Sequence, residues 1–285
     1  MVAILIWGAT PPVTRIAVIG IDGETVGLLR TILAAVIVIP ALLIFRLPRP
    51  SGGHQWFALL IAAVPGFVGY PLLFSIGMEH TSTAHAALII ASAPVFTGII
   101  GFWVERHWPR WIWWLGAAVA LAGEAVLIGS RSTADEGVVS LQGDLLVLAS
   151  IICASAGYIA GGRLAQKLGT WAATGWSIGV AGLGLLPLLV SRNDVGTLLL
   201  SLEFSLAWLA VLYLAIFTSI IGYAAWYWAI GKAGVARISP TQFLMPLISL
   251  ALAVAILDES MSSPVIIALT LILTGVFITR FGQRS

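Results

Sequence analysis

Ten apolar stretches of about twenty residues follow one another along this chain, separated by short connections that hold nearly all of its charged residues. An α-helix needs about 20 such residues to cross the ~30 Å hydrocarbon core of a bilayer. Only 9% of the 285 residues are charged and 60% are hydrophobic, so the chain lacks the polar surface that a water-soluble fold requires. Segments such as 145–160 are apolar on every face, which favours helices over alternating strands. The sequence therefore predicts an all-α integral membrane protein.

The connections between the predicted spans alternate in charge. We predict spans at residues 2–19, 25–45, 55–77, 82–103, 110–129, 143–162, 171–190, 205–230, 235–257 and 264–281. Basic residues follow the even-numbered spans: Arg46, Arg49, Arg106, Arg110, Arg163, Lys167, Lys232, Arg237, Arg280 and Arg284. The opposite connections are acidic and hold Asp22, Glu24, Glu79, Asp135, Glu136, Asp144, Asp194, Glu203, Asp258 and Glu259, against two basic residues, Arg131 and Arg192. Because basic loops stay in the cytoplasm, we expect a multi-pass protein of the inner (plasma) membrane with both termini cytoplasmic.

Other compositional features narrow the class of protein. Eight tryptophans flank the basic connections and are predicted to anchor the helices at the interface: Trp56, Trp103, Trp108, Trp111, Trp113, Trp114, Trp171 and Trp176. The single Cys153 excludes an internal disulfide. The sequence contains no metal-binding or nucleotide-binding motif, so we expect no metal, no cofactor and no enzymatic activity. A net charge of +2 gives no indication of a nucleic-acid partner.

A weak internal repeat divides the chain into halves. Shifting the second half by 154 residues places Ile230 on Ile76 and Glu259 on Glu105, and Pro246 falls within two positions of Pro94. Five helices per half is an odd number, so the second copy must enter the membrane from the opposite side. We predict two inverted five-helix repeats, at 1–130 and 141–285, joined by an external linker at 131–140. Inverted repeats around a shared central site are typical of transporters.

Several motifs resemble a known family. These are Pro94-Val95-Phe96, Val104-Glu105-Arg106 and the glycine-rich stretch from Trp111 in the first half, with Ala225-Trp226-Tyr227, Met245-Pro246, Leu257-Asp258-Glu259-Ser260 and Gly275 in the second. With Arg30 early in the second span, they resemble the EamA-type halves of the drug/metabolite transporter superfamily, and within it YddG-type exporters of aromatic and other amino acids. The resemblance implies ten helices and a cavity lined by helices 1, 3, 4, 6, 8 and 9.

Candidate substrate-binding residues lie in the spans that the resemblance assigns to the cavity. Aromatic rings would hold an apolar side chain, while polar groups and exposed backbone would hold the charged ends of an amino acid. The candidates are Trp7, Thr10, Pro11, Tyr70, Phe74, His85, Ser92, Tyr158, Tyr223, Tyr227 and Gln242. On the eighth span Tyr223 and Tyr227 share a face, which favours them over Trp226 and Trp228. Glycines and prolines in spans 1, 3, 6 and 9 are candidate hinges, although both residues also simply permit close packing.

Some alternatives stay open from the sequence alone. An aromatic stripe can equally face lipid or core, and His85 can be a substrate ligand, a proton carrier or a packing residue. Arg15 and Arg30 are interpreted as structural or gating charges near the outer ends of their helices. The first span has no acid, which disfavours export of cationic drugs, and we see no deep Lys or Arg to suit phosphorylated anions. We predict a monomeric, weakly coupled secondary exporter of neutral and aromatic amino acids in the lipid bilayer, with other small metabolites, drugs or nucleosides as the alternative substrates.

Overall fold

The computed structural model describes residues 1–106, 108–129, 139–192, 205–233, 238, 241–242, 244–257 and 261–282. The described residues form ten apolar helices: α1 (Val2–Gly8 and Thr10–Gly20), α2 (Gly23–Ile44), α3 (Gly53–Ala63, Val64–Gly69 and Tyr70–Glu79), α4 (Thr83–Ile90 and Ala93–Glu105), α5 (Trp111–Gly129), α6 (Leu141–Leu168), α7 (Thr170–Ser191), α8 (Leu206–Tyr213, Leu214–Gly222 and Tyr223–Ala233), α9 (Leu244–Leu257) and α10 (Ser263–Gly282). Seven of these segments are long and apolar enough to cross a membrane, and three are shorter apolar helices. The prediction of an all-α membrane protein with ten helices is confirmed.

Most helix ends lie within a few residues of the predicted ones. The main difference is that α6 continues to Leu168, six residues beyond the predicted end. The start of the ninth span at residue 235 lies outside the described residues, as do Arg131, Asp135, Glu136, Asp194, Glu203, Arg237, Asp258, Glu259 and Arg284.

Local side-chain caps fix several of the starts. Asp22 accepts a hydrogen bond from the Thr25 backbone N–H at the start of α2 (3.0 Å). Ser82 and Ser140 cap α4 and α6 in the same way, through the backbone N–H groups of His85 and Gly143. Each cap satisfies a donor that would otherwise be unpaired at the helix end.

Prolines interrupt three helices of the first half. α1 breaks at Ala9 just before Pro11 and Pro12, and α4 breaks at residues 91–92 just before Pro94. α3 changes to π-helical geometry at Val64–Gly69, just before Pro71. Because proline has no N–H to donate to the preceding turn, a break there costs little extra hydrogen bonding.

α6 runs unbroken from Leu141 to Leu168, so the structure shows no interruption at its candidate hinge. Its glycines allow close packing instead. Gly157 lies against Gly66 of α3, where an added Cβ would come 2.6 Å from the Gly66 Cα. Gly161 and Gly162 lie against Tyr227 and Ile230 of α8. Small residues at such crossings let membrane helices approach closely.

Several of the acidic connections meet at one end of the bundle. Arg192, after α7, pairs with Asp22 (3.2 Å) and Glu24 (2.8 Å) before and in the first turn of α2. Glu79, at the end of α3, accepts a hydrogen bond from the Gly23 N–H (2.7 Å). The alternating charge pattern in the sequence thus corresponds to a spatial grouping of these residues.

Most of the tryptophans predicted to anchor the helices at the interface are exposed, but one is buried. Trp56, Trp103, Trp108, Trp111, Trp114 and Trp171 are exposed, as expected for side chains at the surface of the bundle. Trp113 is instead buried, with Phe102 at 4.9 Å between ring centroids and Gly98 directly beneath its ring. Trp114, the next residue, is exposed, because consecutive residues of a helix point in different directions.

Candidate functional site

Six buried aromatic side chains form one packed group, which we call the aromatic cluster: Trp7, Phe67, Tyr158, Tyr223, Trp226 and Tyr227. Trp7 of α1 stacks on Tyr158 of α6, with 5.1 Å between ring centroids, and meets the Tyr223 ring edge-on at the same distance. Trp226 lies 5.4 Å from Trp7 and 5.8 Å from Tyr158. Helices α1 and α3 of the first half and α6 and α8 of the second therefore meet at these rings.

Hydrogen bonds to backbone carbonyls fix three of the rings. Trp7 Nε1 donates to the Thr218 carbonyl (3.1 Å), Tyr223 donates to the Gly66 carbonyl (3.1 Å) and Tyr227 donates to the Gly157 carbonyl (3.2 Å). Each bond joins a helix of one half to a helix of the other, except for that of Tyr227, which joins α8 to α6.

The local sequence of α3 explains why the Gly66 carbonyl is available. In this π-helical turn the Tyr70 N–H reaches back five residues, to the Pro65 carbonyl. The next residue is Pro71, which has no N–H for the Gly66 carbonyl. The Tyr223 hydroxyl takes this place, and the neighbouring Phe67 carbonyl accepts from the Thr31 hydroxyl (2.9 Å).

The sequence analysis favoured Tyr223 and Tyr227 over Trp226, but the structure places Trp226 in the same cluster. Tyr223, Trp226 and Tyr227 are spaced three and four residues apart, so all three share one face of α8. Trp226 is 2% exposed, whereas Trp228 is 59% exposed. The i, i+3 relation of Trp226 to Tyr223 was the signal that could have identified it.

Arg30 is a second residue that the sequence analysis placed incorrectly. It is fully buried in α2, with its guanidinium carbon 5.4 Å from the centre of the Tyr70 ring. All three of its side-chain nitrogens lack a hydrogen-bond partner among the described residues. The expectation that no basic residue lies at depth is therefore wrong. Tyr70 in turn packs against Phe74, with 5.5 Å between ring centroids.

His85 lies in the first turn of α4. Its Nδ1 is 3.2 Å from an Asp144 carboxylate oxygen, and the other oxygen accepts from the Thr81 hydroxyl at 2.5 Å. Asp144 is also corrected, because it is fully buried in the first turn of α6 and not in a connection. Tyr158 follows Asp144 by 14 residues, about 21 Å along the same helix, so this pair lies well away from the aromatic cluster.

The remaining predicted residues are buried and lie around the helix interruptions. Thr10 lies 3.5 Å from Thr218, hydroxyl to hydroxyl, and Pro11 follows it at the start of the second segment of α1. Ser92 donates to the Ile89 carbonyl across the break in α4 (2.7 Å). Gln242 is buried, and both polar atoms of its amide lack a partner among the described residues.

The grooves found in the described part of the chain lie elsewhere. One of about 470 Å³ opens between α3, α4 and α6, where Ile61, Ile100, Ala160, Arg163 and Lys167 are among its lining residues. None of the eleven predicted residues lines it. None of the grooves in the described part of the chain is lined by the predicted site residues, and those that belong to the aromatic cluster pack against one another. In the same described part, no three His, Cys, Asp or Glu side chains are close enough to hold a metal ion.

Comparison with known proteins gives consistent matches along the chain. A model described as the EamA-like transporter family matches residues 1–129 and 141–281. The uncharacterized transporter YdeK of Bacillus subtilis is 30% identical over 261 residues, which cover 90% of this chain and 87% of that protein. A probable amino-acid metabolite efflux pump of Escherichia coli is 25% identical, with 100% of this chain and 94% of that protein covered. A protein of known crystal structure shares the fold, with a TM-score of 0.69, 21% identity and coverage of 98% of this chain and 94% of its own.

Proposed function

Because the chain belongs to the EamA-like transporter family, we propose that it is a secondary transporter that exports neutral amino acids, aromatic ones among them, across the inner (plasma) membrane. Relatives described as probable amino-acid metabolite efflux pumps support this substrate class. The observation that carries the proposal is the aromatic cluster, in which helices of both halves converge on a set of buried rings.

The cluster has the chemistry that an aromatic side chain requires. Flat rings at 4.3 to 5.8 Å from one another can separate slightly and accept another ring between them. Trp7, Thr10, Pro11, Tyr70, Phe74, His85, Ser92, Tyr158, Tyr223, Tyr227 and Gln242 remain the residues proposed to contact substrate. To these the geometry adds Trp226 and Phe67, which are packed within the same group.

We propose alternating access by movement of the two proposed inverted repeats. The π-helical segments Val64–Gly69 and Leu214–Gly222 lie in the third helix of each half, beside the cluster. Such segments recur at functional sites because their irregular turns free the backbone to bend. Rocking of one repeat against the other about these segments would expose the cluster first to the cytoplasm and then to the exterior.

We propose transport without obligate proton exchange. No carboxylate among the described residues contacts the aromatic cluster, and the buried Asp144 is paired with His85 about 21 Å from Tyr158 along α6. Flux into liposomes should proceed at equal internal and external pH. Flux that appears only under an imposed pH gradient would contradict this part of the proposal.

The function is tested by flux through the purified protein in liposomes. Preloaded vesicles would be offered labelled amino acids, nucleosides and cationic dyes, and we expect phenylalanine, tyrosine and bulky neutral amino acids to exchange saturably. Preferential flux of nucleosides or dyes would instead support the alternative substrates, and no saturable flux of any of them would refute transport of this kind.

Two tryptophans of α8 provide a matched pair of variants. Trp226→Ala removes a buried ring of the cluster, whereas Trp228→Ala removes an exposed ring two residues away on the same helix. We expect the first to raise the half-saturation concentration for aromatic amino acids and the second to leave it unchanged. Tyr227→Ala tests a proposed substrate contact within the aromatic cluster, and His85→Ala tests one outside it. Unchanged competition in both would exclude these residues from the site.

The orientation is tested by labelling from outside sealed vesicles. Gln142 and Gln166 are exposed near opposite ends of α6. Single cysteines at these positions, in a Cys153→Ala background, should react from opposite sides, with Gln166→Cys accessible from the cytoplasmic side. Reaction of both from the same side would refute the proposed topology.

A further inference from the structure

We propose that Arg30 binds the carboxylate of the transported substrate, with Tyr70 holding the guanidinium in place. The inference rests on the proposed function and makes it more specific, since it names the group that recognises the charged end of an amino acid. It starts from a cation that the fold buries at membrane depth without an opposing charge among the described residues.

Arg30 is seven residues beyond Gly23, the first residue of α2, which is about 10 Å along the helix axis. Its side chain is fully buried, and its Nε and both Nη atoms have no hydrogen-bond partner among the described residues. A guanidinium carries five N–H donors and no acceptor. To bury all of them without a partner is costly, and arginines that persist within the membrane are usually functional.

The acidic groups nearest in sequence to this end of α2 already have partners. Asp22 and Glu24 pair with Arg192, and Glu79 accepts from the Gly23 N–H. None of them is within ion-pair distance of Arg30. The protein thus supplies the positive half of an ion pair, and a ligand can supply the negative half.

Tyr70 holds the plane of the Arg30 guanidinium, whose N–H donors have no hydrogen-bond partner among the described residues. The Tyr70 ring, 5.4 Å away, offers a cation–π contact to the guanidinium. Such a contact uses the face of the guanidinium, whereas the N–H donors project from its edge. The next residue of α2, Thr31, donates to the backbone carbonyl of Phe67, a member of the aromatic cluster (2.9 Å). A carboxylate on Arg30 would therefore leave the side chain of an amino acid close to the cluster rings.

The charge balance favours a carboxylate over a phosphate. Arg30 is a single cation among apolar and phenolic side chains, so one carboxylate group compensates its charge, and the ammonium of an amino acid is left to ring faces or backbone carbonyls. A phosphate dianion would leave an uncompensated charge in a desolvated place. A planar carboxylate also matches the guanidinium edge with two parallel hydrogen bonds.

The test compares ligands that differ only at the carboxyl group. Equilibrium binding of phenylalanine, phenylalaninamide and phenethylamine to the purified protein should rank phenylalanine first. We expect its affinity to exceed that of the amide by about 10- to 100-fold, the range of charge-assisted hydrogen bonds. Arg30→Gln should abolish this preference and Arg30→Lys should keep part of it. Arg15→Gln is the matched control, because Arg15 is also a membrane arginine but donates to the Met78 carbonyl (2.9 Å), and it should keep the full preference.

Each outcome decides the proposal. If the wild-type protein binds the amide as tightly as the acid, or if folded Arg30→Gln keeps the preference, the proposal is overturned. Should Arg30→Gln fail to fold, Arg30→Lys takes its place, and an undiminished preference in that variant overturns the proposal. If 3-phenylpropanoate binds in an Arg30-dependent way but no amino acid does, the carboxylate site stands while amino-acid export fails. Absence of binding by every carboxylate overturns the carboxylate site itself.

Discussion

Gly161 of α6 provides a direct test of the packing around the aromatic cluster. A Cβ added there would overlap the Tyr227 side chain, since it would lie 2.7 Å from Cε1 and closer still to Cζ and the hydroxyl oxygen. Tyr227 is fully buried and cannot swing away without leaving its hydrogen bond to the Gly157 carbonyl. Overpacking of a core costs about 1–3 kcal/mol, and the lost hydrogen bond adds about 1 kcal/mol. The better helix propensity of alanine returns up to about 1 kcal/mol, so Gly161→Ala should destabilise the protein by about 1–4 kcal/mol.

The measurement is the free energy of unfolding in mixed detergent micelles, with a second glycine as control. Gly184 of α7 has nothing within 4 Å of an added Cβ, so Gly184→Ala should be neutral or slightly stabilising. In a Tyr227→Ala background the overlap is absent, and the cost of Gly161→Ala should largely disappear. Equal effects of the two glycine substitutions, or an undiminished cost in the Tyr227→Ala background, would refute the packing argument.

Three further substitutions have expected outcomes in the same unfolding assay. Asp144→Ala should cost about 1–3 kcal/mol, because the buried His85 loses the carboxylate that it contacts. A neutral result would mean that the pair contributes nothing. Arg192→Gln should cost about 1 kcal/mol or less, because its ion pairs are partly exposed, and the effect should vanish in high salt. A larger, salt-independent loss would contradict this. Trp7→Phe keeps a ring in the cluster but removes the donor to the Thr218 carbonyl, and should cost about 1 kcal/mol; a loss above about 3 kcal/mol would indicate that the indole shape dominates.

The helix pattern could be predicted from sequence because its causes are local. Apolar run length sets each span, and caps such as Asp22 and prolines such as Pro71 fix the ends and interruptions. These signals lie within a few residues of the feature that they determine. The prediction consequently located ten helices but gave no reliable account of what each one touches.

Which side chains face the interior depends on neighbouring helices, and the sequence carries little of that information. Helices such as α5 and α8 are hydrophobic on all sides, so no amphipathic stripe distinguishes a lipid face from a buried one. Trp113 and Trp226 were misplaced for this reason. The glycines of α6 were misread as hinges because their role is set by Tyr227 and Ile230, which approach from another part of the chain.

The burial of Arg30 could not be predicted from its distance to the predicted end of α2. Burial also depends on which side chains of other helices cover the residue. A predicted start at residue 25 placed this arginine near the surface, where a charge needs no partner. The true start at Gly23 adds about 3 Å, and the Tyr70 ring then closes over the guanidinium from α3. Asp144 is buried because His85 and Thr81, which come from the first half of the chain, contact its carboxylate.

The π-helical turns of α3 and α8 each accept a hydrogen bond from a side chain of the other half of the protein. In α3 the Gly66 carbonyl accepts from Tyr223 of the second half, and in α8 the Thr218 carbonyl accepts from Trp7 of the first. Backbone groups in a membrane interior must be satisfied within the protein, and at both π-helical turns a side chain from another helix completes one of these hydrogen bonds. Each half therefore satisfies backbone groups of the other at the aromatic cluster. A movement that separates the halves must break these bonds together, which joins the opening of the cluster to the bending of both helices.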